Sequence, residues 1–350
     1  MKKVLITGIL GQDGSNMAEH LLRLDQDLEI YGAMRRLSNP NFSNIESFKD
    51  HPRFHLEYMD LSDDVSVNNC FSKVMPDYLF NFGANSFVGV SWDMPTLMFN
   101  VNTLGVVRCL EAIKNFKPEC RFYSAGSSEE FGDVEYTPQD LEHPPKPRSP
   151  YGASKVAARA VVKVYRESYG MYAVHGTLFN HEGIRRGEEF VTRKITMGAA
   201  QAHDNESPKP IYLGNVDAKR DWSDSEDFVK AVWLMLQKEK PQDYLLASGE
   251  AHTVREFVEI AYRHAGFENA EWRGEGLDES FGYEKTGNWV PLVKISKDFY
   301  RPAEVNILLG DSSKTRLDLD WQPKVTFKEL VAKMVKWDIE KAKEKKAIPA

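Results

Sequence analysis

Short continuous apolar runs alternate with longer stretches of helical spacing through the first half of the chain. Val4–Gly8 is an apolar run feeding a glycine-rich turn, Asn16–Leu24 repeats apolar positions at helical intervals, and Leu28–Ala33 is apolar again. Phe54–Met59, Tyr78–Gly83, Arg121–Ala125 and Tyr172–Leu178 have the character of further buried strands, separated by amphipathic segments such as Leu97–Lys114. Strand–helix alternation of this kind predicts an α/β protein with a doubly wound parallel sheet and right-handed crossovers. Beyond Leu178 the pattern loosens. Ala202–Pro210 is polar with two prolines and predicts a loop; Glu226–Gln237 and Val254–Ala265 predict helices. Gly266–Lys297 is Gly-rich and charged with no clear period. Thr326–Lys341 is a last amphipathic helix, followed by a charged tail, Lys341–Lys346, expected to fray.

A length of 350 residues suits one large α/β domain or two smaller ones sharing a cleft. The net charge of −7 speaks against general nucleic-acid binding while leaving room for local basic pockets that hold phosphates. The apolar start is short, broken by Gly8 and followed by Asp13, so it predicts a buried first strand and no signal peptide. No stretch approaches the ~20 apolar residues of a membrane span. Cys70, Cys109 and Cys120 are widely spaced without CxxC pairing, which suggests reduced core thiols and neither a disulfide framework nor a metal site. A cytoplasmic protein is expected.

Chemistry first enters at Gly8-Ile9-Leu10-Gly11-Gln12-Asp13-Gly14, a GxxGxxG turn between a strand and a helix. Glycines there allow a tight turn and let a pyrophosphate approach the helix N-terminus, where free amides and the helix dipole favour anions. This points to a Rossmann-type dinucleotide-binding domain over 1–178, completed by a segment returning near 211–240. The remainder, 179–350, would be mainly a smaller mixed α/β substrate-binding domain over the sheet's carboxyl edge. NAD-selective sites usually carry an acid about twenty positions after the turn, to hold the ribose 2′-hydroxyl. Here the region is Ala33-Met34-Arg35-Arg36-Leu37-Ser38, with two guanidiniums suited to a 2′-phosphate. NADP is the expected cofactor; the alternative for Arg35 and Arg36 is a solvated loop pair.

Tyr151-Gly-Ala-Ser-Lys155 has the YxxxK spacing. Four residues of helix rise only ~6 Å, so the phenol and the ammonium share a face. The ammonium should favour phenolate and draw the phenol pKa toward neutrality, as hydride transfer from a sugar alcohol requires. After the strand Arg121–Ala125 comes Gly126-Ser127-Ser128-Glu129. Ser127 can hydrogen-bond a hydroxyl, and Glu129 is a carboxylate that a simple dehydrogenase has no use for. Its alternative is a solvated acid in the acidic stretch Glu129, Glu130, Asp133.

The chain resembles extended short-chain dehydrogenases/reductases and, among them, the GDP-mannose 4,6-dehydratases. The resemblance spans nearly the whole chain through ITGILGQDGS, RFYSAGSSEEFG, RSPYGASK, LFNHEGIRRGEEFVTRKI, LGNVDAKRDW, TVREFVE and RPAEV. It implies Ser127 in place of the family's catalytic threonine, Glu129 as general base, and Tyr151 and Lys155 as the dehydrogenase pair. It also implies cofactor contacts from Gly8, Gly11, Gln12, Asp13, Gly14, Arg35, Arg36, Asp60, Leu61, Phe82, Ala84, Ser86, His181 and Arg186. Around the nucleotide-sugar it implies Ser86, Asn180, Val191, Lys194, Arg220, Arg301 and Glu304. Asn85 and Phe87 stand where the family has Gln and His, Leu97 replaces a tyrosine, and Asn102 an aspartate; these bear on which sugar is taken. The resemblance further implies a homotetramer, or at least a homo-oligomer, with the Arg35–Asn44 loop reaching a neighbour's cofactor. The expected reaction is redox-neutral conversion of GDP-mannose to its 4-keto-6-deoxy product with bound NADP. The alternatives are another GDP-sugar such as a GDP-heptose, a 4-epimerase or reductase on the same fold, or a cofactor-binding regulatory protein.

Overall fold

The computed structural model of the chain describes residues 1–24, 27–300, 305 and 307–347. Seven parallel strands form the main sheet in the order Tyr244–Leu246, Ala173–Leu178, Arg121–Ala125, Tyr78–Asn81, Lys2–Thr7, Leu28–Met34, Phe54–Tyr58. Side chains along the first strand divide by the two-residue period of a strand. Val4 and Ile6 join Met17, Leu21, Phe80, Val174, Phe228 and Trp233 on one face. Leu5 joins Phe71, Leu79, Val106, Leu110, Phe122 and Val162 on the other. Helices Gln12–Arg23 and Ser225–Met235 cover the first face. Helices Asp64–Val74, Gly105–Phe116 and Pro150–Tyr169 cover the second. Cys70, Cys109 and Cys120 are buried there as free thiols, and burial pushes their pKa values up.

Strand order reverses between Lys2–Thr7 and Tyr78–Asn81, leaving a crevice at the strands' carboxyl ends. What returns to this unit is the helix Ser225–Met235 and the strand Tyr244–Leu246, whereas Ile211–Leu213 pairs with Val293–Ile295 in a separate sheet. Over the crevice sits a second apolar cluster, built from Ile195, Phe257, Val258, Phe281, Val293, Leu330 and Val331.

Gly266–Lys297, for which the sequence shows no period, holds most of a four-stranded sheet: Glu271–Arg273, Ser280–Lys285, Asn288–Ile295 and the parallel Ile211–Leu213. A register shift between Phe281 and Gly282 breaks the alternation, and the turn uses Thr286 and Gly287, both at positive φ. Other boundaries move for local reasons. The first helix begins at Gln12 and not Asn16, because the glycine turn winds straight into it. Leu97–Lys114 is three pieces, with a π-helical turn at Asn100–Leu104 ahead of Gly105–Phe116. The last helix, Phe327–Ala347, takes in the tail expected to fray. Among the described residues no helix is long and apolar enough to cross a membrane.

Candidate active site

A cleft of about 2520 Å³ runs along the carboxyl ends of the strands and under the second lobe. Its floor at one end is the glycine turn. Gly8 has φ +68°, and a Cβ there would press on the backbone of Gly83 at 2.9 Å; a Cβ on Gly14 would collide with the Gly8 carbonyl oxygen. Gly11 caps the helix Gln12–Arg23 without a side-chain bond, so the first amides of that helix face the cleft unclaimed by a capping side chain. Thr7 Oγ1, which donates to Asn81 Oδ1 (2.6 Å), accepts from Gly83 N (2.9 Å) and ties the two turns together. This close-packed cradle, with the amides of the helix start turned to the cleft, fits a dinucleotide pyrophosphate.

Arg35, Asp60 and Leu61 line the cleft where Leu28–Met34 and Phe54–Tyr58 end. Ser62 and, more distantly, Arg35 hold the Asp60 carboxyl below its usual range. Arg35 and Arg36 are both exposed; of the two, Arg35 lines the cleft and Arg36 does not. Phe82, Ala84 and Ser86 line the next strand's exit. Asn102 clamps this loop, accepting from Asn85 N (2.9 Å) and donating to Asn85 O (3.1 Å), which an acceptor-only aspartate could not do. Phe87 meets Phe190 edge-on at 5.8 Å, and Arg186 lies over the Phe190 ring at 3.6 Å. Asp13 and His181 pair at 2.9 Å. Burial opposes both charges, yet each holds the other ionised, so the His181 pKa is raised and that of Asp13 lowered.

At the centre of the cleft, Ser149 caps the helix Pro150–Tyr169 through Gly152 N, which places Tyr151 and Lys155 on the first turns facing the strand end at Ala125. Lys155 Nζ donates to the Ala125 carbonyl (2.8 Å) and lies 5.8 Å from the Tyr151 ring centre. Ser127, Glu129, Tyr151 and Lys155 all line the cleft. Burial pushes the Tyr151 phenol up to about 12, against a lowering hydrogen bond from Ser127 and with the Glu129 charge adding to the rise. Burial likewise lowers Lys155 to about 8. The spacing leads one to expect Lys155 to draw the phenol toward neutrality; here one of its N–H groups goes to the Ala125 carbonyl, and Ser127 and Arg186 are the groups that favour phenolate against burial.

At the far end Asn180, Val191, Lys194 and Arg220 line the cleft, brought there by the strand Asn180–Glu182, the helix Val191–His203 and the strand Lys219–Arg220. Asn180 Oδ1 is buried and unpartnered. Lys194 stands 3.5 Å over the Phe299 ring, and burial lowers its pKa. Arg301 and Glu304 lie outside the described residues. Sequence patterning missed Phe190, Tyr212, Phe299 and Trp337 on this wall, since single aromatics drawn from separate segments carry no shared spacing.

The comparison with known proteins agrees with this geometry. Residues 5–334 match the family model described as GDP-mannose 4,6 dehydratase. The GDP-mannose 4,6 dehydratase of Drosophila melanogaster is 45% identical over 97% of this chain and 86% of its own length. That of Homo sapiens is 42% identical over 96% and 91%. A solved dTDP-glucose 4,6-dehydratase from Bacillus anthracis, in complex with NAD, superimposes with a TM-score of 0.79 at 20% identity, covering 98% of each chain; at that identity it speaks for the fold. A match that runs through both lobes and every wall of the cleft makes this chain a member of the GDP-mannose 4,6-dehydratase family.

Proposed function

We propose that the chain converts GDP-mannose to GDP-4-keto-6-deoxymannose with a retained NADP. The observation that carries this reading is Glu129 beside the Ser127–Tyr151–Lys155 set in one cleft. An epimerase or reductase needs no base at C5; a dehydratase does. A dinucleotide held by its pyrophosphate on the glycine turn would bring its nicotinamide toward Tyr151 and Lys155, where it would supply the hydride acceptor for C4 and later the donor for C6, and its positive oxidised ring would favour a Tyr151 phenolate.

Tyr151 takes the proton of the C4 hydroxyl, with Ser127 hydrogen-bonded to it and Lys155 beside it. The resulting 4-ketone acidifies the C5 hydrogen, which Glu129 removes. Glu129 then gives that proton to the departing C6 hydroxyl, and water leaves. Hydride return to C6 is matched by a proton to C5, for which Glu129, reloaded from solvent, is in place, while Tyr151 releases the proton it took. Arg220 and Lys194 are the cations expected to hold the nucleotide-sugar's diphosphate and base end, and Arg35 the 2′-phosphate that selects NADP over NAD. Exposed apolar side chains on the helices Gly105–Phe116 and Pro150–Tyr169, among them Phe116, Val164 and Tyr169, support assembly with further copies of the chain. Sparse buried thiols suit a reducing compartment such as the cytoplasm.

Incubation with GDP-mannose, followed by mass spectrometry, tests the assignment. The expected product is lighter by one water, with no net consumption of NADP. A product of unchanged mass would mean epimerisation, and turnover of a GDP-heptose alone would move the substrate within the same chemistry.

A further inference from the structure

We propose that Glu130, held by His175, is a positioning residue for this reaction: its buried carboxylate fixes the turn that presents Ser127 and Glu129 to the sugar. The inference rests on the reading above for its kinetic consequences only. Glu130 follows Glu129 in an acidic stretch and invites the same reading as a solvated acid, yet both Glu130 and His175 are 0% exposed. Glu130 Oε1 accepts the Ser127 amide at 2.8 Å and meets His175 Nε2 at 3.0 Å. Ser127 Oγ in turn accepts the Glu129 amide at 3.2 Å, closing a reciprocal cap around the three-residue turn Ser128–Glu130. Gly126, which donates to the Gly176 carbonyl (2.7 Å), leaves the space: a Cβ there would collide with His175 Nε2 and come within 2.6 Å of Glu130 Oε1. The pair therefore lies directly against the backbone that carries both reacting side chains.

Burial would raise the Glu130 pKa, but His175, the Ser127 amide and Arg159 hold it below the usual range, so the carboxylate is ionised. An ionised carboxylate only accepts, so His175 Nε2 carries the proton between them. Behind His175 lies Asp243, paired with Arg166 at 2.7 Å and with Arg159 at 3.6 Å. Apolar residues of similar volume stabilise a core as well as a buried ion pair does. The acid is better explained by what it touches. Its charge also acts upward on the site: Glu130 and Asp13 are the two carboxylates that support the Lys155 ammonium against burial, and Glu130 and Glu129 both disfavour the Tyr151 phenolate, which Arg186 favours.

Two variants test this in the full-length protein. Glu130→Leu removes cap and charge; Glu130→Gln keeps an acceptor for the Ser127 amide and removes only the charge. Misplacing a reacting group by about 1 Å can cost on the order of 10²-fold, so Glu130→Leu should lower kcat by that order with KM for the sugar within about twofold. Glu130→Gln should recover much of kcat but move the pH profile. Glu130 raises the pKa of both Tyr151 and Lys155, so its loss lowers both, and both limbs shift to lower pH. Amide hydrogen exchange at Ser127 should rise in Glu130→Leu and less in Glu130→Gln. Unchanged kcat in Glu130→Leu, or reduced kcat in both variants with an unmoved pH profile, would overturn the proposal in favour of a packing role. If Glu130→Leu fails to fold, the profile of Glu130→Gln decides. If the unsubstituted chain leaves GDP-mannose untouched, the functional reading fails, and Ser127 exchange in the variants still decides whether Glu130 holds the turn.

Discussion

The cofactor wall of the cleft is made by successive strand ends of one parallel sheet, whereas the opposite wall is assembled from the helices Val191–His203 and Phe327–Ala347, short strands of small sheets and single aromatics drawn from across 180–342. On the first wall the backbone does the work. Gly8 and Gly14 leave no room for a Cβ, Thr7 ties the Gly83 loop to the sheet and Asn102 ties the Asn85 loop to the π-helical turn, and the polar groups are fixed before anything arrives. On the second wall side chains do it, and several stand half-exposed: Tyr212, Phe299 and Tyr300 are 45%, 50% and 50% accessible. A preorganised wall suits chemistry, because fixed donors need no rearrangement in the transition state. A wall of adaptable side chains suits discrimination between sugars and bases. Substitutions on the first wall should therefore act on kcat, and those on the second on KM.

The largest effect is expected at Tyr151. Tyr151→Phe removes the phenol proposed to take the C4 proton, and loss of a positioned acid/base group costs on the order of 10²–10⁴-fold. Stopped-flow absorbance should show no reduced nicotinamide forming at all; a normal burst would move the oxidation to another residue. Arg220→Ala, on the second wall, should raise KM for the nucleotide-sugar by roughly 10- to 100-fold, the worth of a hydrogen bond to a charged group. Nicotinamide affinity, measured by calorimetric titration, should change little. If kcat falls instead with KM intact, the division between the walls is wrong. Arg35→Ala should give the smallest change, narrowing the preference for NADP over NAD by roughly tenfold, because an exposed guanidinium is partly screened. Equal affinities for the two cofactors in the unsubstituted chain would remove the 2′-phosphate reading.

The same division decides what the sequence could reveal. The glycine turn and Tyr151–Lys155 are each contiguous in the chain, so their spacing alone carries the geometry, and the strand exits follow from the alternation of strands and helices. Spacing could not say which of Arg35 and Arg36 lines the cleft, because adjacent residues at a strand end diverge once the strand stops. The four-stranded sheet was illegible because its register shift and a proline at Pro291 erase the two-residue period. Glu130 could not be told from its neighbours, since its partner His175 lies in the next strand of the sheet, 45 residues on.

The central claim is that oxidation and elimination share one cleft but use different residues, Tyr151 for the first and Glu129 for the second. Glu129→Gln separates them most directly. Mixed with GDP-mannose, this variant should accumulate enzyme-bound NADPH and a 4-keto hexose that has lost no water, and the C5 hydrogen should stop exchanging with deuterated solvent. Turnover to the 6-deoxy product at the unsubstituted rate would show Glu129 to be a bystander and contradict the account.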